Sequence, residues 1–357
     1  MPTPRTLVLG ATGFIGRWLV LELLRHGEPV AVGVRGGAAG RDGELRRWLR
    51  EHGVSDSGLT TVATDITRPG LGLSPADDAL LADVRDVHNL AAVYRFGLGR
   101  EEARAANVDG AVHALHWAAD RRALRRLVHV SGYRVGRGQE PGRPPRRDPY
   151  RTLGAYEASK AEGDRAVRAL APGLGVPLTV VNPAVVIGHS RTGESGQYIG
   201  LAPMVEQLWS GNLPAVPGNR RTFVPVVTVD HLAAFLAAVP RYDEEPLALH
   251  TVLDPDTPSL PELIALVAHA LGLDAPRLTV PVGLVRRLPR ALTGADRESL
   301  SFLSEDRYDT ASADRLAAAA GLVRPPVGEA LGRWAERLVT DRFGAAPMSA
   351  TAGATAE

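Results

Sequence analysis

The feature that most constrains the fold of this chain is a glycine-rich turn between an apolar strand and an apolar helix. The short run Thr6–Leu9 predicts a β-strand, and Gly10, Gly13 and Gly16 follow it at once. Residues 17–26 then have the apolar spacing of a helix, which a glycine closes. Glycines in this context let the backbone approach a pyrophosphate, whose charge lies at the helix N-terminus. The residues expected to contact such a dinucleotide are Gly10, Thr12, Gly13, Phe14, Ile15 and Gly16.

The turn is not a P-loop, because no Gly-Lys-Ser/Thr follows it at the required spacing. Its G-x-x-G-x-x-G spacing also differs from the usual G-x-G-x-x-G. Further apolar runs continue an alternation of strands and helices; they are Val30–Arg35, Leu59–Ile66, Val84–Leu90, Leu127–Ser131 and Val176–Val181. This alternation predicts an α/β fold, a Rossmann-type doubly wound parallel sheet.

The end of the second predicted strand indicates which dinucleotide is bound. A site for NAD carries an acidic residue there to hold the ribose 2′-hydroxyl, but this chain has Arg35. A guanidinium suits a 2′-phosphate, so we expect NADP(H). Arg41 and Arg46 either add to this pocket or form a solvated face, and we favour the solvated face. Asp65 would contact the adenine amino group, next to an apolar wall; the other nucleotide contacts expected beside these strand ends are Ile66, Ala91, Ala92 and Val93.

One lysine occurs in the chain, Lys160, whereas arginine accounts for the other 40 of the 41 basic residues. The arginine side chain ends in a broad planar guanidinium, whereas the lysine side chain ends in a compact ammonium that can lie beneath a phenol. Tyr156 lies four residues earlier and would share a helix face with Lys160. A neighbouring cation favours phenolate and lowers a tyrosine pKa from about 10. Tyr156 is therefore a candidate general acid/base, although the pair would also suit an ordinary helix surface.

Two further polar residues are placed to serve this tyrosine. Ser131 ends the fifth predicted strand, at the edge where open α/β sheets bind ligands, and could donate a hydrogen bond to a substrate carbonyl. Asn107 lies in the predicted helix 100–119, where it either holds water against Lys160 or has a satisfied side chain.

Composition excludes several classes. The net charge of +1 gives no reason to expect a nucleic-acid or membrane partner, and without cysteine there is no disulfide, thiolate metal site or cysteine nucleophile. The histidines show no grouping typical of metal ligands, so we expect no metal. Ser131 lacks the G-x-S-x-G elbow of a hydrolase. No signal peptide precedes the first strand and no apolar run spans a bilayer, so we expect a cytoplasmic protein.

Beyond Gly188 the regular alternation is lost, which predicts a smaller, mainly helical C-terminal cap that binds substrate. We place the dinucleotide-binding domain at residues 1–188 and 223–255, the cap at 189–222 and 256–342, and a disordered tail at 343–357. The candidate substrate contacts are Tyr94, Tyr133, His189, Tyr198, Met204 and Phe223. A basic cluster is either a solvated loop or a site for phosphopantetheine or a carrier protein; its members are Arg143, Arg146, Arg147 and Arg151.

In their order and spacing, these motifs resemble the extended short-chain dehydrogenase/reductase family. The matching residues are Gly10, Gly13, Gly16, Asp65, Ile66, His88–Ala92, Asn107, Ser131, Tyr156, Lys160 and Asn182–Ala184. The resemblance implies that Tyr156 is the catalytic acid/base and that Lys160 binds the nicotinamide ribose. It further implies that Ser131 polarises the substrate and that Asn107 completes a proton relay. The residues that it implies around the nicotinamide are Pro183, Ala184 and Val186.

Four strings are similar to the thioester-reductase branch of that family; they are Val34–Arg35, Thr67–Leu73, Asn107–Gly110 and Gly188–Glu194. Sugar-nucleotide dehydratases carry a Thr-Asp/Glu pair after the serine, and this chain has Gly132-Tyr133 there, which disfavours a dehydratase. Asn182-Pro183 also resembles reductases of aromatic or alicyclic ketones, so the branch stays open.

The function that we expect is an NADPH-dependent reductase that transfers hydride to a ketone or aldehyde of a small, moderately apolar metabolite, with Tyr156 as general acid/base. Three alternatives stay open. They are reduction of a carrier- or CoA-bound acyl thioester to an aldehyde, an NAD(P)-cycling epimerase, and a non-catalytic NADP-binding regulator. Members of the family that this chain resembles often dimerise through the helices near 100–119 and 156–170, so a homodimer is a further expectation.

Overall fold

A computed structural model describes residues 3–36, 41–93, 98–135, 149–152, 154–285, 300 and 303–345. The strands are β1 (Thr6–Leu9), β2 (Val30–Val34), β3 (Leu59–Ala63), β4 (Asp86–Asn89), β5 (Arg126–Val130), β6 (Leu178–Pro183), β7 (Val185–Ile187), β8 (Val216–Pro217), β9 (Val226–Thr228), β10 (Leu247–Val252) and β11 (Thr279–Val280).

The helices are α1 (Phe14–Arg25), α2 (Arg41–Glu51), α3 (Pro75–Leu80), α4 (Arg100–Arg104), α5 (Gly110–Ala119), α6 (Pro149–Thr152), α7 (Ala155–Leu170), α8 (Ala202–Trp209), α9 (Val229–Tyr242), α10 (Leu260–Ala270), α11 (Val282–Val285), α12 (Ala311–Ala319) and α13 (Val327–Thr340). Within the described residues, no helix is both long and apolar enough to cross a bilayer.

Seven parallel strands form the central sheet in the order β10-β6-β5-β4-β1-β2-β3, which confirms the predicted doubly wound fold. The chain moves outward from β1 to β3 and then returns to β4 on the other side of β1. The strand order therefore reverses between β1 and β4, where such sheets bind ligands beyond the carboxyl ends of their strands. Leu9 and Asn89 are paired across this point, so both strands end at the same level.

The sheet is buried on both faces, as the near-continuous apolar runs predict. The side chains of Leu7, Val8, Leu9 and Val30 are almost wholly buried. Helix α1 packs against α9, so the segment after residue 226 returns to the first domain as predicted. The edge strand next to β6 is β10, which lies within the part of the chain assigned to the first domain.

The cap has its own apolar core, in which α10 packs against α13. Leu263, Leu331 and Trp334 are almost completely buried there. A short sheet of β8 and β11 accompanies these helices. The region is thus mainly helical, as expected, while the exact domain boundaries and the disordered tail remain predictions; from residue 346 onward the tail lies outside the described residues.

Several element bounds differ from those expected. The third strand ends at Ala63 rather than at residue 66, because Asp65 and Thr67 form a hydrogen-bonded turn there. The predicted helix 100–119 consists of α4, a π-helical turn over Ala105–Asp109 and α5. Such π-bulges often occur at functional sites.

Candidate active site

The glycine turn after β1 is packed backbone against backbone. Gly10 has a φ of +83°, and a Cβ there would lie 2.8 Å from the backbone nitrogen of Ala91. A Cβ on Gly16 would lie 2.2 Å from the carbonyl oxygen of Gly10. Because neither position can hold a side chain, the backbone at the start of α1 packs directly against the carbonyl groups of the turn. Helix α1 begins at Phe14, so its free N–H groups are available for a phosphate.

The residues expected to contact adenosine follow β2 and β3. Arg35 is exposed directly after β2. Asp65 Oδ1 accepts hydrogen bonds from the backbone N–H (3.0 Å) and hydroxyl (2.7 Å) of Thr67. The Thr67 hydroxyl, more than the nearby Arg35, holds the pKa of Asp65 below its ordinary value. Asp65 is therefore ionised and engaged through one oxygen. Its contact with adenine stays a prediction.

Arg46 serves the fold at this end. Its guanidinium donates to Asp42 at 3.0 Å and to the Leu59 carbonyl oxygen at 3.1 Å. It also donates to Thr61 Oγ1 at 3.3 Å. These contacts join α2 to β3 and account for Arg46 without a nucleotide. The other arginine proposed as a possible addition to the Arg35 pocket is Arg41, which is exposed at the start of α2.

Tyr156 and Lys160 lie one turn apart on α7, and both line the same cleft as Ser131. Lys160 is only 7% exposed, and its Nζ donates to the Val130 carbonyl oxygen at 2.8 Å. Burial lowers the pKa of Lys160 to about 8, while the charge of Asp164 opposes that shift. Ser131 Oγ is buried, and its hydroxyl lies beside Asp164, where it favours the ionised carboxylate. The site thus joins a phenol, an ammonium and a hydroxyl at the carboxyl ends of β5 and β6.

Asp164 is a part of this site that the sequence reasoning missed. It is 1% exposed, and the charge of Lys160 favours its ionised form. Its Oδ2 lies 2.9 Å from Arg168 Nε. Burial raises the pKa of Asp164, against the effect of Arg168. The signal was present in the sequence, because Tyr156, Lys160, Asp164 and Arg168 follow one another at intervals of four along one helix face.

His129 lies close to Lys160 inside the sheet. Burial, and secondly the Lys160 charge, lower the pKa of His129 to about 3. Its Nδ1 lies 3.3 Å from Asn89 Nδ2. His129 is therefore neutral near pH 7, and the charge of Asp164 is the one that favours the Lys160 ammonium.

Asn107 lies in the π-helical turn, and its side chain connects the segment after β4 to α7. Its Oδ1 accepts a hydrogen bond from the Val93 N–H at 2.9 Å, and its Nδ2 donates to Ser159 Oγ at 2.9 Å. A Cβ on Gly163 would lie 2.2 Å from the Asn107 carbonyl oxygen, so α7 crosses this turn at backbone contact. The side chain of Asn107 is thus satisfied, as one interpretation of the sequence proposed. Its part in a proton relay stays a prediction.

One cleft of about 700 Å³ connects the glycine turn, the Tyr156 pair and the cap. The predicted residues that line it are Gly10, Gly13, Phe14, Ile15, Gly16, Ala92, Ser131, Tyr133, Tyr156, Lys160, Pro183, Val186, Tyr198 and Met204. The predicted residues that do not line it within the described part of the chain are Thr12, Arg35, Asp65, Ile66, Ala91, Val93, Asn107 and Ala184. Many of the lining residues that the sequence reasoning missed come from two stretches of the cap, 197–207 and 212–217, which meet the cleft only through the tertiary structure.

Two substrate candidates are not brought to the cleft. The His189 ring packs on Trp18, with 4.8 Å between the ring centroids, and its Nδ1 accepts the Arg191 N–H at 3.1 Å. Phe223 is 2% exposed in the cap, beneath the guanidinium of Arg307. Packing within the protein thus accounts for the positions of both aromatic rings away from the cleft. Tyr94 and the cluster of Arg143, Arg146 and Arg147 lie outside the described residues, as does the side chain of Arg151.

A glycine turn that admits a pyrophosphate and a Tyr/Lys pair share one cleft at the reversal point of a parallel sheet, and this arrangement defines an NAD(P)-dependent oxidoreductase of the short-chain dehydrogenase/reductase class. A model of the NAD-binding family described as "Male sterility protein" matches residues 8–236. The chain belongs to this family, which is an extended short-chain dehydrogenase/reductase family with a thioester-reductase branch.

Known proteins of related sequence are several times longer than this chain. An isonitrile lipopeptide synthase from Streptomyces coeruleorubidus is 30% identical over 264 residues, which are 68% of this chain and 17% of the synthase. An aldehyde reductase from Aspergillus flavus is 26% identical over 260 residues, which are 66% of this chain and 25% of that protein. The chain thus spans a quarter or less of the length of these curated relatives.

The fold occurs in solved reductase domains. The terminal R domain from the myxalamid PKS-NRPS biosynthetic pathway superposes with a TM-score of 0.75 at 22% identity, over 97% of this chain and 93% of that one. At these levels of identity the likeness establishes the fold, and the reaction has to be argued from the site.

Proposed function

We propose that this chain is an NADPH-dependent reductase that reduces a carrier-bound acyl thioester to an aldehyde, with Tyr156 as the proton donor. The observation that carries this proposal is the single cleft in which the glycine turn, Tyr156, Lys160 and Ser131 meet and which continues into the cap. The relatives add support, because the matched synthase is a lipopeptide synthase and the superposed structure is the terminal R domain of an assembly-line pathway.

The residues present fit a bound nicotinamide dinucleotide. The backbone of Gly10 and Gly16 leaves no room for side chains where a pyrophosphate approaches, and Pro183 and Val186 supply apolar walls beside Tyr156. When bound, the nicotinamide supplies a hydride to the thioester carbonyl carbon. The chain's own residues have to manage the oxygen and the proton.

Ser131 lines the cleft together with Tyr156, and in this mechanism its hydroxyl turns to donate a hydrogen bond to the carbonyl oxygen. Tyr156 transfers its proton to that oxygen as negative charge develops, and the Lys160 ammonium stabilises the phenolate that remains. The product of this step is a hemithioacetal. Its carbon–sulfur bond breaks as the hydroxyl proton returns to the Tyr156 phenolate, the departing thiolate takes a proton from water, and an aldehyde and the carrier thiol leave.

A direct test compares substrates at equal concentration and follows NADPH absorbance. We expect a thioester on a phosphopantetheinylated carrier protein, or the same acyl group on CoA, to be consumed with one aldehyde and one free thiol formed per NADPH. NADPH oxidation by ketones with thioesters left intact would contradict the proposal.

The second candidate is the reduction of a free ketone or aldehyde, which the sequence favoured. The relative named as an aldehyde reductase supports it. The same cleft would perform it, because Tyr156 and Ser131 treat any carbonyl oxygen alike. Release of a thiol distinguishes the two reactions, since a free carbonyl substrate yields an alcohol and no thiol.

The choice of NADPH over NADH rests on Arg35, which stands exposed where an acidic residue would hold the 2′-hydroxyl. Charge-assisted hydrogen bonds contribute about 1.5–3 kcal/mol, so we expect Arg35→Asp to weaken NADPH binding by about 10- to 100-fold and leave NADH binding within a few-fold. Arg41→Asp is the matched control, being an exposed arginine at the start of the next helix. Fluorescence titration of both nucleotides measures the change, and an equal loss for NADPH and NADH would contradict this assignment.

A further inference from the structure

The loop of residues 188–194, which we call the junction loop, is fixed to two helices before the chain reaches the cleft. Ser190 Oγ donates a hydrogen bond to Asp230 Oδ2 at 2.6 Å, which joins the loop to the start of α9. The guanidinium of Arg333 donates to the Ser190 carbonyl oxygen at 3.0 Å, which joins the loop to α13. The junction loop is therefore held in place by side chains from both parts of the chain, and Glu194 is its last residue.

Glu194 connects the junction loop to α2. Its Oε1 accepts a hydrogen bond from Trp48 Nε1 at 2.9 Å, and its Oε2 lies 2.8 Å from His52 Nε2. Both carboxylate oxygens are thus engaged by side chains of one helix. Burial opposes ionisation, but the hydrogen bonds from Trp48 and then from His52 hold the pKa of Glu194 below its ordinary value. Glu194 is therefore an ionised group that bridges two distant segments.

The same contact lies beside the glycine turn. Arg17 is the residue after Gly16, and its guanidinium carbon lies 5.0 Å from the centroid of the Trp48 ring. The Arg17 guanidinium also donates to the carbonyl oxygen of Ser195 at 3.5 Å. The start of α1, helix α2 and the residues after Glu194 therefore meet at one place.

The chain that follows Glu194 forms a wall of the cleft. Residues 197–201 all line the cleft, and they contain no helix or strand. Helix α8 begins immediately afterwards, at Ala202. The hydroxyl of Tyr198 donates to Asp341 Oδ2 at 3.3 Å. Since this wall has no regular backbone hydrogen bonding of its own, its position depends on the contacts at its ends, and Glu194 supplies those at the first end.

We infer that Glu194 is a positioning residue that, through Trp48 and His52, holds the wall 197–201 against the glycine turn at the spacing that the carbonyl substrate requires. Glu194 itself is not among the residues that line the cleft, so it acts through the wall. This inference rests on the proposed carbonyl reduction. A wall that holds the substrate equally in the ground state and in the transition state lowers KM, and its displacement raises KM with little change in kcat.

The first test is the kinetics of Glu194→Ala with hexanoyl pantetheine thioester. We expect KM to rise about tenfold while kcat stays within about threefold, because a hydrogen bond to a charged group contributes a free energy of this order. The dissociation constant of NADPH, measured by fluorescence titration, should stay within about twofold, which also shows that the variant is folded. Equal losses of NADPH affinity and substrate affinity would indicate general damage to the fold and would overturn the inference.

Two further variants calibrate this effect. Glu194→Gln keeps an oxygen that can accept from Trp48, so we expect KM to rise only about threefold. Glu336→Ala is the matched control, since Glu336 is an exposed glutamate of α13. It should leave KM unchanged. The same KM in Glu194→Ala and Glu336→Ala would contradict a positioning role.

A double-mutant cycle tests whether Trp48 acts through Glu194. Trp48→Phe keeps an aromatic ring and removes the N–H that donates to the carboxylate. If both residues act through this one contact, the double variant of Trp48→Phe and Glu194→Ala should have the KM of Glu194→Ala alone. Independent, multiplying effects on KM would show that the two residues do not act through a shared contact.

An NMR measurement separates the inference from the proposed reaction. The chain has three methionines, so a 13C-methyl label gives three signals, and Met204→Leu identifies the one from the cleft. We expect Glu194→Ala to shift this signal and Glu336→Ala to leave it in place. A shifted Met204 signal, with no thioester consumed by the unaltered protein, would support the positioning role and reject thioester reduction. Consumption of thioesters, with the Met204 signal and KM unchanged in Glu194→Ala, would do the reverse.

Discussion

The two ends of the cleft are built on different principles. At the glycine turn the contacts are between backbone atoms, and a Cβ at Gly10 or Gly16 would lie 2.2–2.8 Å from them. At the end of the cleft lined by the cap, the contacts are side chains such as Met204 and Leu213, which are only partly buried. The difference teaches that the nucleotide end is fixed by main-chain geometry and admits no added atom. The cap end is fixed by side-chain volume and can change its ligand by substitution.

The largest effect is expected at Tyr156, between the two ends. Tyr156→Phe keeps the ring and removes the proton donor, so we expect kcat to fall about 1000-fold, within the range of general acid catalysis. Neither end of the cleft loses a contact, and the dissociation constant of NADPH should stay within twofold. Stopped-flow absorbance and fluorescence titration measure the two quantities. Full activity in this variant would remove Tyr156 from the mechanism.

A methyl group at the glycine turn comes next. Gly16→Ala places a Cβ 2.2 Å from the Gly10 carbonyl oxygen, so the turn must shift. We expect about 100-fold weaker NADPH binding, or about 2.8 kcal/mol. Gly43→Ala is the control, because Gly43 lies in α2 with open space around it. Alanine should raise helix stability there by about 0.5–1 kcal/mol and leave NADPH binding unchanged. Equal NADPH affinity in the two variants would break the comparison.

The charge balance under Tyr156 gives a smaller, pH-dependent effect. The pKa of Lys160 is lowered to about 8 by burial, and Asp164 opposes this. Asp164→Asn removes the opposing charge, so we expect the pKa to fall further, by about one unit, or about 1.4 kcal/mol. The ammonium is lost as pH rises through this pKa, so the alkaline decline of kcat should move to lower pH.

This shift in the pKa of Lys160 can be measured directly. Lys160 is the only lysine in the chain, so a 13C-lysine label gives one lysine spin system in an NMR titration. Glu51→Gln, at an exposed glutamate of α2, is a control that removes one negative charge far from α7. A lysine pKa that does not move in Asp164→Asn would show that Asp164 leaves the ammonium unaffected.

The smallest effect is expected at the end of the cleft lined by the cap. Met204→Ala removes part of one flexible wall, and neighbouring side chains can move into the space. We expect kcat/KM for an apolar acyl thioester to fall about fivefold, which corresponds to about 1 kcal/mol, while NADPH binding stays the same. A loss of NADPH affinity comparable to that of Gly16→Ala would show that the two ends are not separate.

Much of the nucleotide end could be predicted from the sequence, because local rules govern it. The turn after β1, the spacing of Tyr156 and Lys160 and the serine that ends β5 are all features of neighbouring residues. Contacts over long distances could not be predicted. His189 looked like a residue of the cleft, but it packs on Trp18, which lies 171 positions earlier in the chain. Asp164 was missed because a carboxylate on a helix is usually solvated. Its influence on the Lys160 charge follows only from its burial near that residue.

The amino-acid sequence by itself determined the parallel sheet, the glycine turn and the Tyr156/Lys160 pair, since apolar periodicity, glycine backbone freedom and helical spacing act over a few residues. Tertiary structure alone decided which residues form the end of the cleft lined by the cap. Its walls come from α8, β8, β11 and Leu303, which are separated by as many as 100 positions and meet only through the packing of the cap core.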